Sequence, residues 1–334
     1  MTELEFRLSN EFQRDFPLAP QPFDFLAHRL ATDEATVLRT LRSLMEAGVV
    51  SRVGAVFAPR RLGASTLAAM AVPPTRLEEV AELVSARAEV NHNYEREHRY
   101  NLWFVAMAGD AAALAALLRD IERETGCAVL SLPLEEEFYI DLGFELDPNL
   151  AGAGKAPCAT RLINADTQRP LDAAEQAVMA ALQEGLELVS QPYAALAARA
   201  GMSEAALLDL LRDWQRENAI KRFGVVVRHH ELGYTANAMA VWDVPDADVH
   251  DLGLKLAAEA DVTLCYRRGR HLPEWRYNLY CMIHGRERDD VETRIARLSA
   301  RYGLIAYPHA VLFSLRRYKQ RGARYVPVVE AVDG

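Results

Sequence analysis

Residues 90–104 gather proton-handling and cationic side chains into one short run: Val-Asn-His-Asn-Tyr-Glu-Arg-Glu-His-Arg-Tyr-Asn-Leu-Trp-Phe. His92, Tyr94, Arg96, His98, Arg99, Tyr100, Asn101 and Trp103 all fall inside it. An edited copy at 262–280 carries Tyr266, Arg267, Arg268, Arg270, His271, Trp275, Arg276, Tyr277 and Asn278. Each run leads into a hydrophobic strand. Arginine supplies a permanent, fork-shaped cation matched to carboxylates. Histidine gives or takes a proton near neutral pH, or binds a metal through a ring nitrogen. Tyrosine and tryptophan offer flat stacking faces.

Strand alternation puts His92, Tyr94 and Arg96 on one face and Asn93 and Glu95 on the other. A ligand that uses all these groups is planar, anionic and metal-bearing, and a carboxylated iron tetrapyrrole fits. His229 and His230 are further candidates, or else an unconnected surface pair. A zinc site wants clustered ligands without this excess of arginine, and Cys127, Cys158, Cys265 and Cys281 form no Cys-x-x-Cys pair. Cys265 reads as a small buried residue rather than a nucleophile.

The elements that position these runs are written twice. Gly48-Val-Val-Ser-Arg-Val-Gly-Ala-Val-Phe57 matches Asn218-Ala-Ile-Lys-Arg-Phe-Gly-Val-Val-Val227, with Gly54 on Gly224 and Gly63 on Gly233. Tyr94 pairs with Tyr266 and Asn101 with Asn278, and the second copy carries an insertion around Leu272-Pro273-Glu274. His92 falls on Leu264. A Gly-, Ala- and Pro-rich stretch, Leu146 to Pro157, separates the halves as a linker.

Each half opens with a helix–turn–helix. Helices are expected over 4–15, 23–30 and from an N-cap at Thr32 to Ala47, stopped by Gly48. A strand pair over 49–57 would form the wing of a DNA reader. A βαββαβ order follows, the ferredoxin-like split unit. Its last strands are expected at 128–132 and 305–310. The fold class is therefore α+β, two tandem winged helix-turn-helix plus ferredoxin-like halves. Boundaries fall at 1–62, 63–145, a linker at 146–170, 171–234 and 235–334.

A chain of 334 residues, half of them hydrophobic, can bury more than one core. No window approaches the roughly 20 apolar residues of a membrane span. The start, Met-Thr-Glu-Leu-Glu-Phe-Arg, lacks the basic-then-apolar order of a signal peptide, so a cytoplasmic protein is expected. Net charge is −9, an unfavourable sign for a nucleic-acid binder. The would-be recognition helices agree. Glu34 and Glu46 cancel Arg39 and Arg42, while Glu204, Asp209, Asp213 and Glu217 outnumber Arg212 and Arg216. No sequence-specific DNA contact is expected.

The element order resembles the Lrp/AsnC regulators over each half. The strings His92-Asn-Tyr-Glu-Arg-Glu-His-Arg-Tyr-Asn-Leu-Trp-Phe104 and Cys265-Tyr-Arg-Arg-Gly-Arg-His-Leu-Pro-Glu-Trp-Arg-Tyr-Asn-Leu-Tyr280 are more specific. They resemble the sirohaem decarboxylases, a branch of that fold, in its fused two-halved NirDL form. The resemblance implies removal of two acetate carboxyl groups, at C12 and C18 of sirohaem, giving 12,18-didecarboxysirohaem for haem d1 biosynthesis. It implies no added cofactor, since the iron belongs to the substrate. Carried onto this chain, it implies catalytic roles for His92, Tyr94, Arg96, His98, Tyr266 and His271, with His98 or His92 meeting the iron. Arg99, Asn101, Trp103, Arg267, Arg268, Arg270, Trp275, Asn278, His229 and His230 would bind substrate. Other haem d1 biosynthesis proteins and a second copy of the chain are partners it allows. The alternative is an Lrp/AsnC-type transcription regulator sensing haem or another small ligand.

Overall fold

A computed structural model describes residues 1–57, 63–140, 161–162, 171–217, 219–227 and 236–320. The linker Leu146–Pro157, Cys158, His229 and His230 lie outside the described residues.

The first helix–turn–helix comprises α1 (Glu3–Glu11), α2 (Pro22–Arg29) and α3 (Glu34–Glu46). Thr2 and Glu5 cap α1 reciprocally. α1 stops short of Asp15, because Phe12 and Phe16 turn into the core and the Phe16 amide bonds to the Phe223 carbonyl of the other half at 3.1 Å. Asp33, not Thr32, caps α3: its carboxylate accepts from the Thr36 amide at 2.8 Å. Gly48 then takes the left-handed conformation that ends the helix, φ 76°. The second copy has α6 (Ala173–Glu184), α7 (Pro192–Arg199) and α8 (Glu204–Arg216).

The strand pair expected over 49–57 is instead one strand per half. β1 (Val50–Phe57) pairs antiparallel with β7 (Ile220–Val227), and Gly54 lies opposite Gly224 at the crossing. The wings thus tie the halves together, and one core serves both modules: Phe12, Phe16, Phe23 and Leu41 pack with Tyr193, Leu211, Trp214 and Phe223. Arg42 of α3 donates to the Leu188 carbonyl, and Arg212 of α8 donates to the Leu18 carbonyl at 3.1 Å. These are the arginines a DNA reader would turn outward. Arg216 is bonded by Asp213 and Arg39 by the Thr36 hydroxyl.

The first ferredoxin-like unit runs β2 (Ala64–Met70), α4 (Leu77–Ala86), β3 (Val90–Arg96), β4 (Leu102–Ala108), α5 (Ala111–Thr125) and β5 (Val129–Ile140). A short β6 (Arg161–Leu162) pairs with Glu136 and Glu137. The second runs β8 (Ala236–Trp242), α9 (Val249–Ala257), β9 (Val262–Arg268), β10 (Leu279–Gly285), α10 (Arg288–Arg301) and β11 (His309–Gln320). The last strand of each unit, expected to be short, has 12 residues. Residues 305 and 306, expected to begin the second of them, lie instead in a 3-10 turn over Leu304–Ala306. The extra length has a partner. β5 pairs with β2 of its own half through 129–133, then with β9 of the other half through 134–140. β11 does the same with β8 and β3.

The order β2-β4-β3-β11-β8-β10-β9-β5 therefore returns to β2 and closes, so these strands satisfy one another's edges. Helices α4 and α5 cover one outer face and α9 and α10 the other. The interior core is Leu67, Trp103, Leu132, Met239, Tyr266, Trp275, Tyr280, Met282 and Leu312. No helix among the described residues is long and apolar enough to cross a membrane.

The strand crossing gives the first test. A Cβ on Gly224 would lie 2.4 Å from the carbonyl oxygens of both Phe12 and Gln13, which are backbone and cannot swing away. Gly224→Ala is expected to cost roughly 2 kcal/mol or more. Gly109→Ala, where a Cβ meets nothing within 4 Å, is the control. Thermal melting checks this, and equal melting of the two variants would contradict the close crossing.

Candidate functional site

The pairing of β3 with β4 slips between Val90 and His92. Val90 packs into the helix-side core, and after the slip Asn93 also faces α4, donating to the Ala81 carbonyl at 3.1 Å and the Ser85 hydroxyl at 3.0 Å. The bulge re-aims the intervening side chains. His92, Tyr94 and Arg96 consequently share the interior face: His92 stacks on Tyr94 with centroids 6.2 Å apart, and the Arg96 guanidinium lies 5.9 Å from the Tyr94 ring centre.

Arg96 is buried. Its Nη1 donates to the Leu312 carbonyl of β11 at 3.1 Å, its Nη2 rests 4.0 Å from the Met282 sulfur, and its Nε has no partner. It reaches no carboxylate among the described residues. Burial lowers its pKa, opposed by the Tyr266 and Tyr94 phenols, but a guanidinium remains a cation regardless. The second half repeats the device. Arg268 lies 4.6 Å from the Tyr266 ring centre and donates to the Leu132 carbonyl of β5 at 2.8 Å, and Tyr266 stacks on Tyr280 at 5.6 Å. Each cation is thus fixed by a strand that crosses from one half to the other.

The histidines present opposite ring nitrogens. Asn91 Nδ2 donates to the Met107 sulfur, so its Oδ1 is left to accept from His92 Nδ1 at 3.3 Å. That leaves the His92 Nε2 lone pair open. Burial holds its pKa down at about 4, so the ring is neutral at physiological pH. In His98 the Nδ1 accepts from the Tyr100 amide at 3.0 Å, which places the proton on Nε2. These tautomers follow from the hydrogen-bonding roles of the neighbours. His98 stacks on Tyr100 at 6.1 Å, and its pKa is lowered by burial and by Arg99.

Trp275, from the insertion in the second copy, reaches the first half's motif. It lies 5.4 Å from His98, 5.8 Å from Tyr100 and 5.0 Å from Trp103, centroid to centroid. Its indole donates to the Tyr280 hydroxyl at 2.7 Å, and the Trp103 indole donates to the Tyr100 carbonyl at 2.7 Å. Both tryptophans are buried.

Other expected residues stand elsewhere. Arg267 faces the opposite side of β9, paired with Glu135 at 2.8 Å and Asp246 at 3.1 Å. Arg270 is held by Asp243, Asp246 and the Val244 carbonyl. Asn101 clamps both backbone groups of Val72 at 2.9 Å, and Asn278 clamps those of Val244 at 3.0 Å. His271 is half-buried in the inserted loop, its backbone bridged to Trp275. Arg99 is exposed, 5.7 Å from the Tyr100 ring centre. No cluster of three or more metal-ligating His, Cys, Asp or Glu side chains occurs among the described residues. Two residues not expected from sequence join the site: on β11, Arg317 lies opposite Tyr94 and Gln320 opposite His92. Only the length of β11, and its partner in the other half, place them there.

The chain matches two families. Residues 6–50 and 175–220 match the "Siroheme decarboxylase NirDL-like HTH domain", and residues 61–139 and 231–319 the "AsnC-like ligand binding domain". It is 46% identical over 329 residues, 98% of this chain and 99% of the relative, to the siroheme decarboxylase NirDL subunit of Paracoccus denitrificans (strain Pd 1222). It is 50% identical over 147 residues, 44% of this chain and 98% of the relative, to the NirD subunit of Pseudomonas aeruginosa. A crystal structure of the siroheme decarboxylase NirDL with an iron-uroporphyrin III analogue superposes with TM-score 0.70 and 28% identity, covering 97% of this chain and 94% of that one.

Burial moves His92 from 6.5 to about 4. Between these values the unfolded chain binds a proton that the folded chain refuses. This residue therefore leaves stability unchanged above pH 6.5 and lowers it as the pH falls towards 4, with a slope of up to about 1.4 kcal/mol per pH unit. Its replacement by leucine, the residue at 264, removes that component. Chemical denaturation of both proteins across this interval reads it, and parallel curves would contradict an enclosed, neutral ring.

Proposed function

Because the chain belongs to the sirohaem decarboxylase family, we propose that sirohaem docks against the His92–Tyr94–Arg96 face and loses its C12 and C18 acetate carboxyl groups there. The observation that carries this is Arg96, a buried cation aimed into an aromatic interior with no carboxylate among the described residues. A buried charge of this kind is costly unless an anion meets it. A carboxylate on the macrocycle edge is such an anion.

Distances along β3 support the remaining roles. His92 and Arg96 are four residues apart, roughly 13 Å along a strand, a span suited to a macrocycle with its centre at one residue and its carboxylated rim at the other. His92, neutral with Nε2 open, ligates the substrate's own iron. Tyr94 stacks beside it, and His98, with a proton on Nε2, lies beyond Arg96 near the rim. As the carbon–carboxyl bond breaks, carbon dioxide leaves and the bonding pair passes towards the ring, which is the electron sink. A proton from solvent, delivered to that carbon, completes a methyl group, and the His98 Nε2–H is placed to orient the water that delivers it. Asn101, Asn278, Trp103 and Trp275 position the elements around this face rather than touch the reacting atoms.

The helix-turn-helix modules act in this reading as a clamp between the halves, with Arg42 and Arg212 each bonded to a carbonyl of the other half. Retention on duplex DNA at low salt, where phosphate contacts are strongest, is expected to be negligible. Tight retention would favour the regulator reading.

Anaerobic reaction of the purified protein with sirohaem in deuterated water is expected to give a product with deuterium in both new methyl groups. His98→Ala is expected to lower turnover by about 100-fold or more. His92→Ala is expected to abolish the axial-ligand signature in the absorption spectrum. His28→Ala, on an exposed helix end, is the neutral control. Sirohaem recovered with every carboxyl group intact would refute the assignment.

A further inference from the structure

The two crossing strands bring opposite charges to equivalent places. β5 and β11 are equally long and start at 129 and 309, 180 positions apart. Glu135-Glu136-Glu137 therefore corresponds to Leu315-Arg316-Arg317. Arg317 lies opposite Tyr94, and Glu137 lies opposite Tyr266. Directly opposed residues on neighbouring strands share a face, so each stands beside the tyrosine of its own site. The Arg317 charge also reaches the Tyr94 phenol, offsetting part of the rise that burial causes. Glu137 is bonded by Lys221 of β7, so the helix-turn-helix module leans on this second site. The outer face inverts as well. Arg316 pairs with Glu78 of α4 at 2.5 Å, whereas Glu136 pairs with His250 of α9 at 2.6 Å. Leu264 stands where the first site has His92.

Resting on the sirohaem reading of the first face, we infer that Arg317 is a specificity-determining residue which the second half supplies to the first half's site, and that its inversion to Glu137 closes the related second site to polycarboxylated macrocycles. The chain then has one substrate site assembled from both halves, not one site per half. At the first site Arg317, opposite Tyr94, adds a cation for the substrate rim. At the second, a carboxylate faces an incoming ligand whose whole periphery is carboxylate, and Leu264 offers no imidazole at the position of His92.

Anaerobic titration of the full-length protein with sirohaem, followed by absorption, tests this. Wild type is expected to saturate at one macrocycle per chain. Arg317→Glu is expected to raise Kd and KM on the order of ten-fold, with kcat little changed because the residue holds the rim and moves no proton. Arg317→Lys is expected to recover most of the affinity, which a merely structural role would not predict. Leu264→His combined with Glu137→Arg is expected to add a second binding equivalent. Thermal melting identifies a variant that does not fold, in which case the wild-type stoichiometry and the Arg317 series decide. Two equivalents of equal affinity on wild type, an unchanged Kd for Arg317→Glu, or a folded double variant that still binds one would each overturn the inference. One macrocycle bound but never decarboxylated would instead defeat the reaction assigned to the site while leaving this asymmetry standing.

Discussion

The bond from Arg96 to the carbonyl of Leu312 is the interaction on which the site depends. Leu312 belongs to a strand that begins in the second half's sheet and ends in the first half's. Without that strand the guanidinium would lose its anchor, the sheet would gain an open edge, and Tyr94 would lose its opposite neighbour. The bond from Arg268 to Leu132 is its counterpart. Each half therefore fixes the other's cation. A buried guanidinium needs acceptors, and here a backbone carbonyl supplies one while the remaining donors face the interior.

The same logic governs the other end of the molecule. β1 and β7 cross at two glycines, and the carbonyls of Phe12 and Gln13 approach so closely that no side chain fits at Gly224. Cross-half bonds from Arg42 and Arg212 reinforce the junction. Two modules whose layout suits the reading of a double helix are thereby turned towards each other.

The doubled architecture was legible in the sequence because hydrophobic periodicity and matched glycines are local signals. α5 and α10 fall where the pattern puts them, and each His–Tyr–Arg run begins on a strand, β3 or β9. What sequence missed was non-local. The 12-residue length of β5 and β11 is set by partners in the other half, so nothing local marks Glu135–Glu137 and Arg316–Arg317 as neighbours of the site. Arg267, Arg268 and Arg270 look interchangeable as a string, yet only Arg268 faces inward, because facing depends on register. Asn101 and Asn278 look like ligand contacts until their amides are seen spent on Val72 and Val244. The bulge at Asn91 had no local signature, although it decides where His92 points.

Joining both halves in one polypeptide has a consequence for how position 317 differs from position 137. In a pair of identical chains, any change at one mouth is copied at the other, so an arginine that welcomes an anion here would welcome one there too. A single continuous chain releases that coupling. One half's strand pair carries arginine and imidazole, while the other keeps glutamate and leucine and contributes instead the tryptophan loop that packs against its neighbour.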